Sequence, residues 1–545
     1  MLTGVIDIGS NGVRFSVSDL SDSLASRNLP IKFQDRAPIS LYDALKSSRE
    51  SSSDRRISAN VLDRLRIAIT RFDRVCKALK VPDENVSVFG TAASRSAANW
   101  EDMVAMITRI NSNWTVNRLS PYMEAKYGAM GIASSYYEIN GLVMDLGGGS
   151  IQISWVSSLA GNVDMPESAV SLPLGAAAIS EKLQAQDAET FDVETFKLDI
   201  RDQFAYAFKK IKPPFELKGA NLYLSGGGFR GLGFLAMSTL SDDEYYPVPI
   251  INGYRCSIKD LERVAQRQLT DKDKDKLEDV FRISKRRASQ LPGIGLLIQA
   301  LISAAPHIGS VYFCQGGVKE GYLYSKLADS VKIKDPLVTC TAAYARPACA
   351  KIETLINFAM SSFTPPYISK RMLPAVVNLV YYQAPYTKDT QATAALNIAV
   401  TGVLAGVHGL SHVDRALLGI ILCERWGGEV FDERVIRRLC DLVVSVLGED
   451  LGLKYLFWGY YLAKLATVLA DLFPAGVVDS EDRVKVGLVK DEKDAILIEL
   501  TFVKDDPCTL AVWDKIEGLE KKVKKFRKKY EIVGVPKVSF KLYME

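Results

Sequence analysis

The sequence predicts an α/β chain: two sheet-bearing domains, then a helical domain and a small α+β module. Three observations carry this. The stretch GVIDIGSNGVRFSV (4–17) reads as apolar strand, Asp, Gly-rich turn and second alternating strand, and GLVMDLGGGSIQIS (141–154) repeats that plan about 138 residues later. A strand, a Gly-rich turn and a helix start recur in ANLYLSGGGFRGLGFLA (220–236) and SVYFCQGGVKEGYLYSKL (310–327). Strands alternating with helices are the mark of an α/β domain. After about residue 335 the Gly-rich strand ends stop, and Ala, Leu and Val dominate to about residue 470.

The elements follow in order. Residues 4–20 alternate as a hairpin, and the polar run LKSSRESSSDRR (45–56) reads as an exposed loop. Val61, Leu62, Leu65, Ile67, Ile69, Phe72 and Val75 recur at helical spacing over 58–80. NVSVFGTAASRSAANW (85–100) reads as strand, turn and helix start, and 122–135 as a helix before the second hairpin. The apolar windows Ala394–Leu410 and Leu456–Phe473 are broken by polar residues and read as buried helices, with no membrane span expected. Residues 480–545 alternate as strands around one basic helix. The expected domains are 1–125, 126–335, 336–475 and 476–545.

Composition narrows the function. A net charge of +4 over 545 residues argues against direct nucleic-acid binding. The first strand begins by Gly4, so no signal peptide is expected. Eight scattered cysteines with no C-x-x-C pair suit reduced thiols in a cytoplasmic protein. Three histidines are too few for a His-rich metal site.

The twin hairpins suggest phosphate chemistry. An Asp at a strand end, Asp7 or Asp145, can orient a hydrated Mg²⁺, and the Gly, Ser and Asn residues after it allow a turn whose backbone N–H groups point at an anion. One such turn is as well explained by an ordinary hairpin. Two, with a third Gly-rich turn at Ser225–Gly228, point to a clamp on a phosphate chain.

The chain resembles the exopolyphosphatase / guanosine pentaphosphate phosphohydrolase (Ppx/GppA) family over roughly 4–330. DIGSNGVR is similar to D-x-G-S-N-[ST]-x-R, GTAASRSAAN (90–99) to T-S-A-x-R-x-A-x-N, and LSPYMEAKYGAMG (119–131) to I-[ST]-[GP]-x-E-E-A. DLGGGSIQI resembles D-x-G-G-G-S-x-E, RASQLPGIGLL (287–297) resembles R-A-D-x-[IL]-x-G, and GGVKEG (316–321) resembles G-L-R-E-G. The resemblance implies two actin-like (ribonuclease H-like) domains of the sugar kinase–chaperone–actin superfamily with a ligand cleft between them. It implies Mg²⁺ at Asp7 and Asp145, and phosphate held by Gly9, Ser10, Asn11 and Arg14 of the first turn and Gly147, Gly148, Gly149 and Ser150 of the second. It also places Arg95 and Asn99 near the phosphates, and makes Glu124 the general base. Gly226, Gly227 and Gly228 match the adenosine-side loop, where a turn packed against a helix explains the glycines equally well.

Several positions depart from the family pattern. Gly12 stands where a hydroxyl residue is usual, Ala92 for Ser, Met123 for an acid, Gln152 for Glu, Gln290 for Asp and Lys319 for Arg. The phosphate turns are kept while the polar groups around the chemistry are thinned. The expectation is a regulatory member that binds ATP or another nucleotide or polyphosphate, hydrolyses it slowly or not at all, and signals metabolic state from mitochondria to transcription through protein partners. A homodimer is left open. The alternative is an active Mg²⁺-dependent phosphatase.

Two further signals read as structural. His408, His412 and Asp414 (HGLSHVD) lack a full metal-ligand set and suit core and capping roles. EKKVKKFRKKY (520–530) has seven basic residues in the nine from Lys521 to Lys529, with Val523, Phe526 and Tyr530 on a packing face. The run TDKDKDKLED (270–279) reads as a solvated helix start.

Overall fold

The computed structural model describes all residues except 47–53, 160–161, 168, 185–191, 242–244, 271–273, 306 and 481. Most of the polar loop read at 45–56 and residues 271–273 of the 270–279 run lie outside the described residues. The chain forms two compact units: Met1–Tyr246 with Ile251–Lys334, and Pro247–Ile250 with Asp335–Glu545.

The first unit carries two sheets built on one plan. In the first, β1 (Leu2–Gly9) turns back into β2 (Gly12–Asp19), with β3 (Ile31–Ala37), β4 (Val86–Gly90) and β5 (Thr115–Arg118) in the order β3-β2-β1-β4-β5. In the second, β6 (Asn140–Leu146) turns back into β7 (Ile151–Leu159), which pairs with β8 (Asn162–Asp164) and β9 (Val170–Leu172). On the other side of β6 come β10 (Asn221–Ser225), β12 (Ser310–Phe313) and β11 (Arg255–Ser257). In each sheet an antiparallel hairpin flanks a parallel core, β1 beside β4 and β6 beside β10. These are the two actin-like α/β domains expected from the sequence.

Each sheet buries an apolar face. Val13, Phe15 and Val17 pack with Leu65, Ile69 and Phe72 of the helix Ala59–Ala78, and Phe15 stacks on Phe72 at 4.5 Å. Ile67, expected on that helix's packing face, is 56% exposed, because the face follows the i, i+4 and i+7 positions from Leu65. A third cluster, with Val5, Phe89, Ala129, Ile132, Val143 and Tyr223, draws on both domains.

The helices Pro121–Ser134 and Val318–Ser325 cross closely at small residues. A Cβ on Gly131 would stand 2.1 Å from the Gly317 carbonyl oxygen, and one on Gly321 1.7 Å from that of Tyr127. Only bare backbone fits there, and the first turns of the two helices set Glu124 and Glu320 near enough to Asp7 and Asp145 to interact with their charges.

The second unit holds the segments read as 336–475 and 476–545. Its long helix Glu449–Leu472 buries most of the 456–473 window. The 394–410 window is helical only to Leu396; Asn397 then donates back to the Thr393 carbonyl, and the glycine-bearing stretch continues in turns. Strands β13 (Val484–Asp491), β14 (Ala495–Phe502) and β15 (Lys537–Met544) form one sheet, with two helices, Pro507–Glu517 and Leu519–Lys529, where one was expected. Gly518 separates them. The basic helix buries Leu519 and Val523 and stacks Phe526 on Tyr460 at 4.0 Å. His412 bonds the Ile250 carbonyl oxygen at 2.7 Å, while Asp414 caps its own helix through Ser411 and pairs with Arg371. Among the described residues no helix is long and apolar enough to cross a membrane.

Candidate functional site

The site lies in the first unit, where the ends of the two hairpins meet. Asp7 stands opposite Arg14 in the β1–β2 register, and Asp145 stands opposite Gln152 in β6–β7. The turns themselves touch: a Cβ on Gly148 would lie 2.7 Å from the Asn11 side-chain amide. Any side chain at 148 would have to displace that amide for the second turn to come this close to the first. The first turn is tied down through Ser10, whose carbonyl accepts from Tyr42 N–H at 3.0 Å and Ser40 Oγ at 3.1 Å. Tyr42 then reaches the other domain and donates to Glu181 Oε2 at 3.1 Å. The second turn is closed by Gly147 N–H to the Ser150 carbonyl at 2.9 Å, and the helix Ala176–Gln184 donates to the Gly147 and Gly148 carbonyls. Gly149 lies against the Tyr42 ring.

Beneath the turns sit the two aspartates, near enough for Asp7 to bear on the charge of Asp145. Burial pushes the Asp7 carboxyl above its ordinary range, partly offset by Arg14 at 3.9 Å. Burial also pushes Asp145 up to about 6, with Arg14 opposing and Asp7 adding. Asp7 Oδ1 is buried and has no hydrogen-bond partner. An orphaned carboxylate oxygen beside a second acid is what a cation would satisfy. Among the described residues no three His, Cys, Asp or Glu side chains gather to hold a metal alone. A pair of carboxylates is a donor set that Mg²⁺ accepts, with water and phosphate oxygens completing its shell.

Glu124 sits in the first turn of its helix, capped by Ser120, and is buried. Burial pushes it up to about 7, although Arg95 Nη1 donates to its Oε2 at 2.6 Å and holds it down. The same Arg95 nitrogen donates to the Leu119 carbonyl at 2.8 Å. Arg95, placed near phosphate by resemblance, is thus engaged with the candidate base. The Asn99 amide is spent on Ile57, accepting from its N–H and donating to its carbonyl. Gly226, at φ +97, presses against Asp145: a Cβ there would stand 2.6 Å from Asp145 Oδ1 and 2.3 Å from the Leu146 carbonyl oxygen. Gly228 packs under Leu146 and Ile294, and only Gly227 of the three faces open space.

The departures also find physical accounts. Met123 packs against the apolar cluster between the sheets. Gln152 is buried and donates to Ser150 Oγ at 2.9 Å and Ser171 Oγ at 3.4 Å. Gly12 adopts φ +155, and its missing side chain leaves room for Arg36.

Five further residues complete the surroundings. Arg230 bears on Asp145, with burial and then Arg14 pushing it down to about 10. Lys319 and Glu320 form a buried pair at 3.1 Å, and Glu320 accepts from Gly317 N–H. Arg36 and Arg286 gather on Asn11. Lys319 and Glu320 lie within the GGVKEG stretch, and Arg230 within SGGGFRG, so their motifs pointed to them. Nothing in one dimension singles out Arg36, which only the β2–β3 pairing brings opposite Arg14.

A sequence profile of the Ppx/GppA phosphatase family matches residues 21–330, and one described as the RTG2 C-terminal domain matches 335–544. The chain is similar to Retrograde regulation protein 2 of Saccharomyces cerevisiae, with 34% identity over 490 residues, covering 87% of this chain and 81% of the relative. Among solved structures it is similar to the Aquifex aeolicus member of the Ppx/GppA family, at 19% identity and TM-score 0.48, over 60% of this chain and 97% of that one. It is also similar to an exopolyphosphatase from Cytophaga hutchinsonii, at 18% identity and TM-score 0.46, over 61% of this chain and 99% of that one.

Proposed function

The chain belongs to the Ppx/GppA phosphatase family, and we propose that within it the chain senses a phosphate-rich ligand and hydrolyses it slowly or not at all. The ligand is ATP or another nucleotide or polyphosphate. The two turns would hold its phosphates, and Asp7 and Asp145 would hold a Mg²⁺ ion, which would supply charge neutralisation on the phosphate oxygens. Arg14 adds positive charge, and the Asn11–Gly148 contact couples the ligand to closure of the two domains. Protein partners read that closure in the cytoplasm, in mitochondria-to-nucleus signalling to transcription. The name of the yeast relative supports the regulatory role.

The observation that carries sensing over turnover is Gln152. Directly opposite Asp145 stands a neutral amide bonded to two serines, where the family pattern has a carboxylate. One observation favours the second reading, an active exopolyphosphatase or guanosine pentaphosphate phosphohydrolase: Glu124 remains, buried and pushed up to about 7, as suits a general base near neutral pH.

The deciding experiment measures phosphate release from polyphosphate, guanosine pentaphosphate and ATP with Mg²⁺, beside calorimetric binding of the same compounds. Tight binding without turnover is the expected result. Robust turnover abolished by Glu124→Gln would overturn it in favour of the enzyme.

A further inference from the structure

We propose that the first unit holds a second binding site, for a small organic carboxylate, in a cavity walled by Lys332, Tyr324 and Ser158. The cavity shares no residue with the two turns, the aspartate pair or the Arg95–Glu124 pair.

Three observations carry it. First, there is room. A space of about 250 Å³ opens between Tyr137 and Glu138 after the helix Pro121–Ser134, Ser158 and Val163 of β7 and β8, and the segment from Tyr324 to Ile333. One water needs roughly 10–15 Å³, so an organic molecule fits. Voids that stay empty in proteins are lined by apolar groups, and this one is not. All of its lining residues belong to the first unit, and Lys332 and Ile333 come just before the chain passes into the second unit at Asp335.

Second, the polar groups of the lining are donors with protons to give. The Lys332 side chain is only 10% exposed, and among the described residues its ammonium pairs with one carboxylate, Asp329, at 2.9 Å. Asp329 is 76% exposed, so that pair is weak, and two ammonium protons remain. Ser158 Oγ accepts from Ile139 N–H at 3.1 Å, which leaves its own proton free to donate. Tyr324 is buried, and among the described residues none accepts from its hydroxyl. The carboxylate of the lining, Glu138, is exposed, where solvent screens its charge. Buried donors facing a space without a buried acid call for an anion.

Third, the walls are fixed in advance and carry positive charge. Arg27 is fully buried and donates to the carbonyls of Lys332 at 3.0 Å, Ser134 at 3.4 Å and Tyr136 at 2.8 Å. One side chain thus fastens the segment bearing Lys332 to the segment bearing Tyr137. The Arg27 guanidinium lies 5.3 Å from the centre of the Tyr324 ring and the Lys332 ammonium 6.0 Å from it. A carboxylate beside Lys332 gains from both cations, while the Tyr324 ring, Val163 and Ile333 offer surface to an apolar body. Walls that need no rearrangement lose little order when a ligand enters.

The test titrates the full chain with 4-fluorobenzoate and 4,4,4-trifluorobutyrate by fluorine NMR, beside the neutral 4-fluorobenzamide and the cationic 4-fluorobenzylamine. At least one carboxylate is expected to bind, and 4-fluorobenzoate about tenfold or more above its amide and amine counterparts. Lys332→Met keeps the apolar stem and removes the charge. It should weaken the carboxylate at least about tenfold and leave the amide within about twofold, and Ser158→Ala should weaken the carboxylate about threefold. The melting temperature of K332M should stay within about 2 °C of wild type, because its partner Asp329 is exposed. Glu138→Gln should leave carboxylate binding unchanged or tighten it. Tripolyphosphate with Mg²⁺ should not displace the carboxylate. Failure of both carboxylates to bind wild-type protein overturns the site, as does an equal loss of carboxylate and amide in K332M. Loss of binding in E138Q overturns it in favour of a cation site, and displacement by tripolyphosphate would move the probe to the turns.

Discussion

The two hairpins share a sequence plan and an equivalent place in matching sheets, yet they are equipped differently. Opposite Asp7 stands a cation, Arg14; opposite Asp145 stands a neutral amide, Gln152. The first turn gathers Arg14, Arg36 and Arg286, while the second is stitched by backbone bonds from Ser150 and the helix that follows it. The repeat therefore sets geometry, and the cross-strand partners set charge. On the proposed reading, the first hairpin reads the anion and the second provides a rigid floor.

The comparison breaks first at the aspartates, where the largest effect is expected. Asp7→Asn and Asp145→Asn keep shape and remove charge, and each should cost at least about 100-fold in Mg²⁺-dependent binding of ATP or tripolyphosphate, by calorimetry. Asp145 also carries a stability signature with a definite sign. Its carboxyl is raised to about 6 in the folded chain, so its contribution is full below its ordinary value near 3.8 and is lost as pH rises through about 6. Ligand-free D145N should accordingly melt about 2 °C or more above wild type at pH 7.5 and show no such gain at pH 4. Equal melting at both values would mean that the acid is not strained by burial.

A smaller effect is expected at the contact between the turns. Gly148→Ala puts a methyl 2.7 Å from the Asn11 amide and must separate the turns or turn that side chain away. Ligand affinity should fall about tenfold, with stability within about 1 kcal/mol of wild type because the amide can rotate. Arg95→Ala comes next. It removes the cation that holds Glu124 down, so any residual hydrolysis should shift its rising pH limb from about 7 upward by about one unit. An unmoved pH profile would separate Glu124 from the chemistry.

How much of this the sequence revealed differs between the two hairpins. Asp7, Asp145, the glycines and Glu124 were legible because strand-end acids, tight turns and motif order are local properties. The charge around them was not. Arg36 lies on a strand whose alternation looks ordinary, and only pairing with β2 sets it opposite Arg14. Gly12 read as a lost donor because the guanidinium filling its space is 24 positions away in the sequence. Arg95 is placed near phosphate by its motif, which says nothing of Glu124, 29 positions on in the sequence and 2.6 Å away in the fold. Ile67 misled for a simpler reason: several apolar residues in one helix exceed what one face can bury.

The smallest and most discriminating change restores symmetry between the hairpins in the acidic direction. Gln152→Glu puts a carboxylate opposite Asp145, at nearly constant volume, and Ser150 and Ser171 can rotate to donate where they now accept. Like charges facing one another across a strand pair cost up to about 1 kcal/mol, so ligand-free Q152E should melt about 2 °C below wild type at pH 7.5. Millimolar Mg²⁺ should recover the loss, because a divalent ion between the two acids turns repulsion into coordination. If Gln152 is what holds the chain to sensing, Q152E should also release phosphate from ATP or polyphosphate two- to threefold faster than wild type. Stability restored by Mg²⁺ without faster release would show that Gln152 is not what holds the chain to sensing.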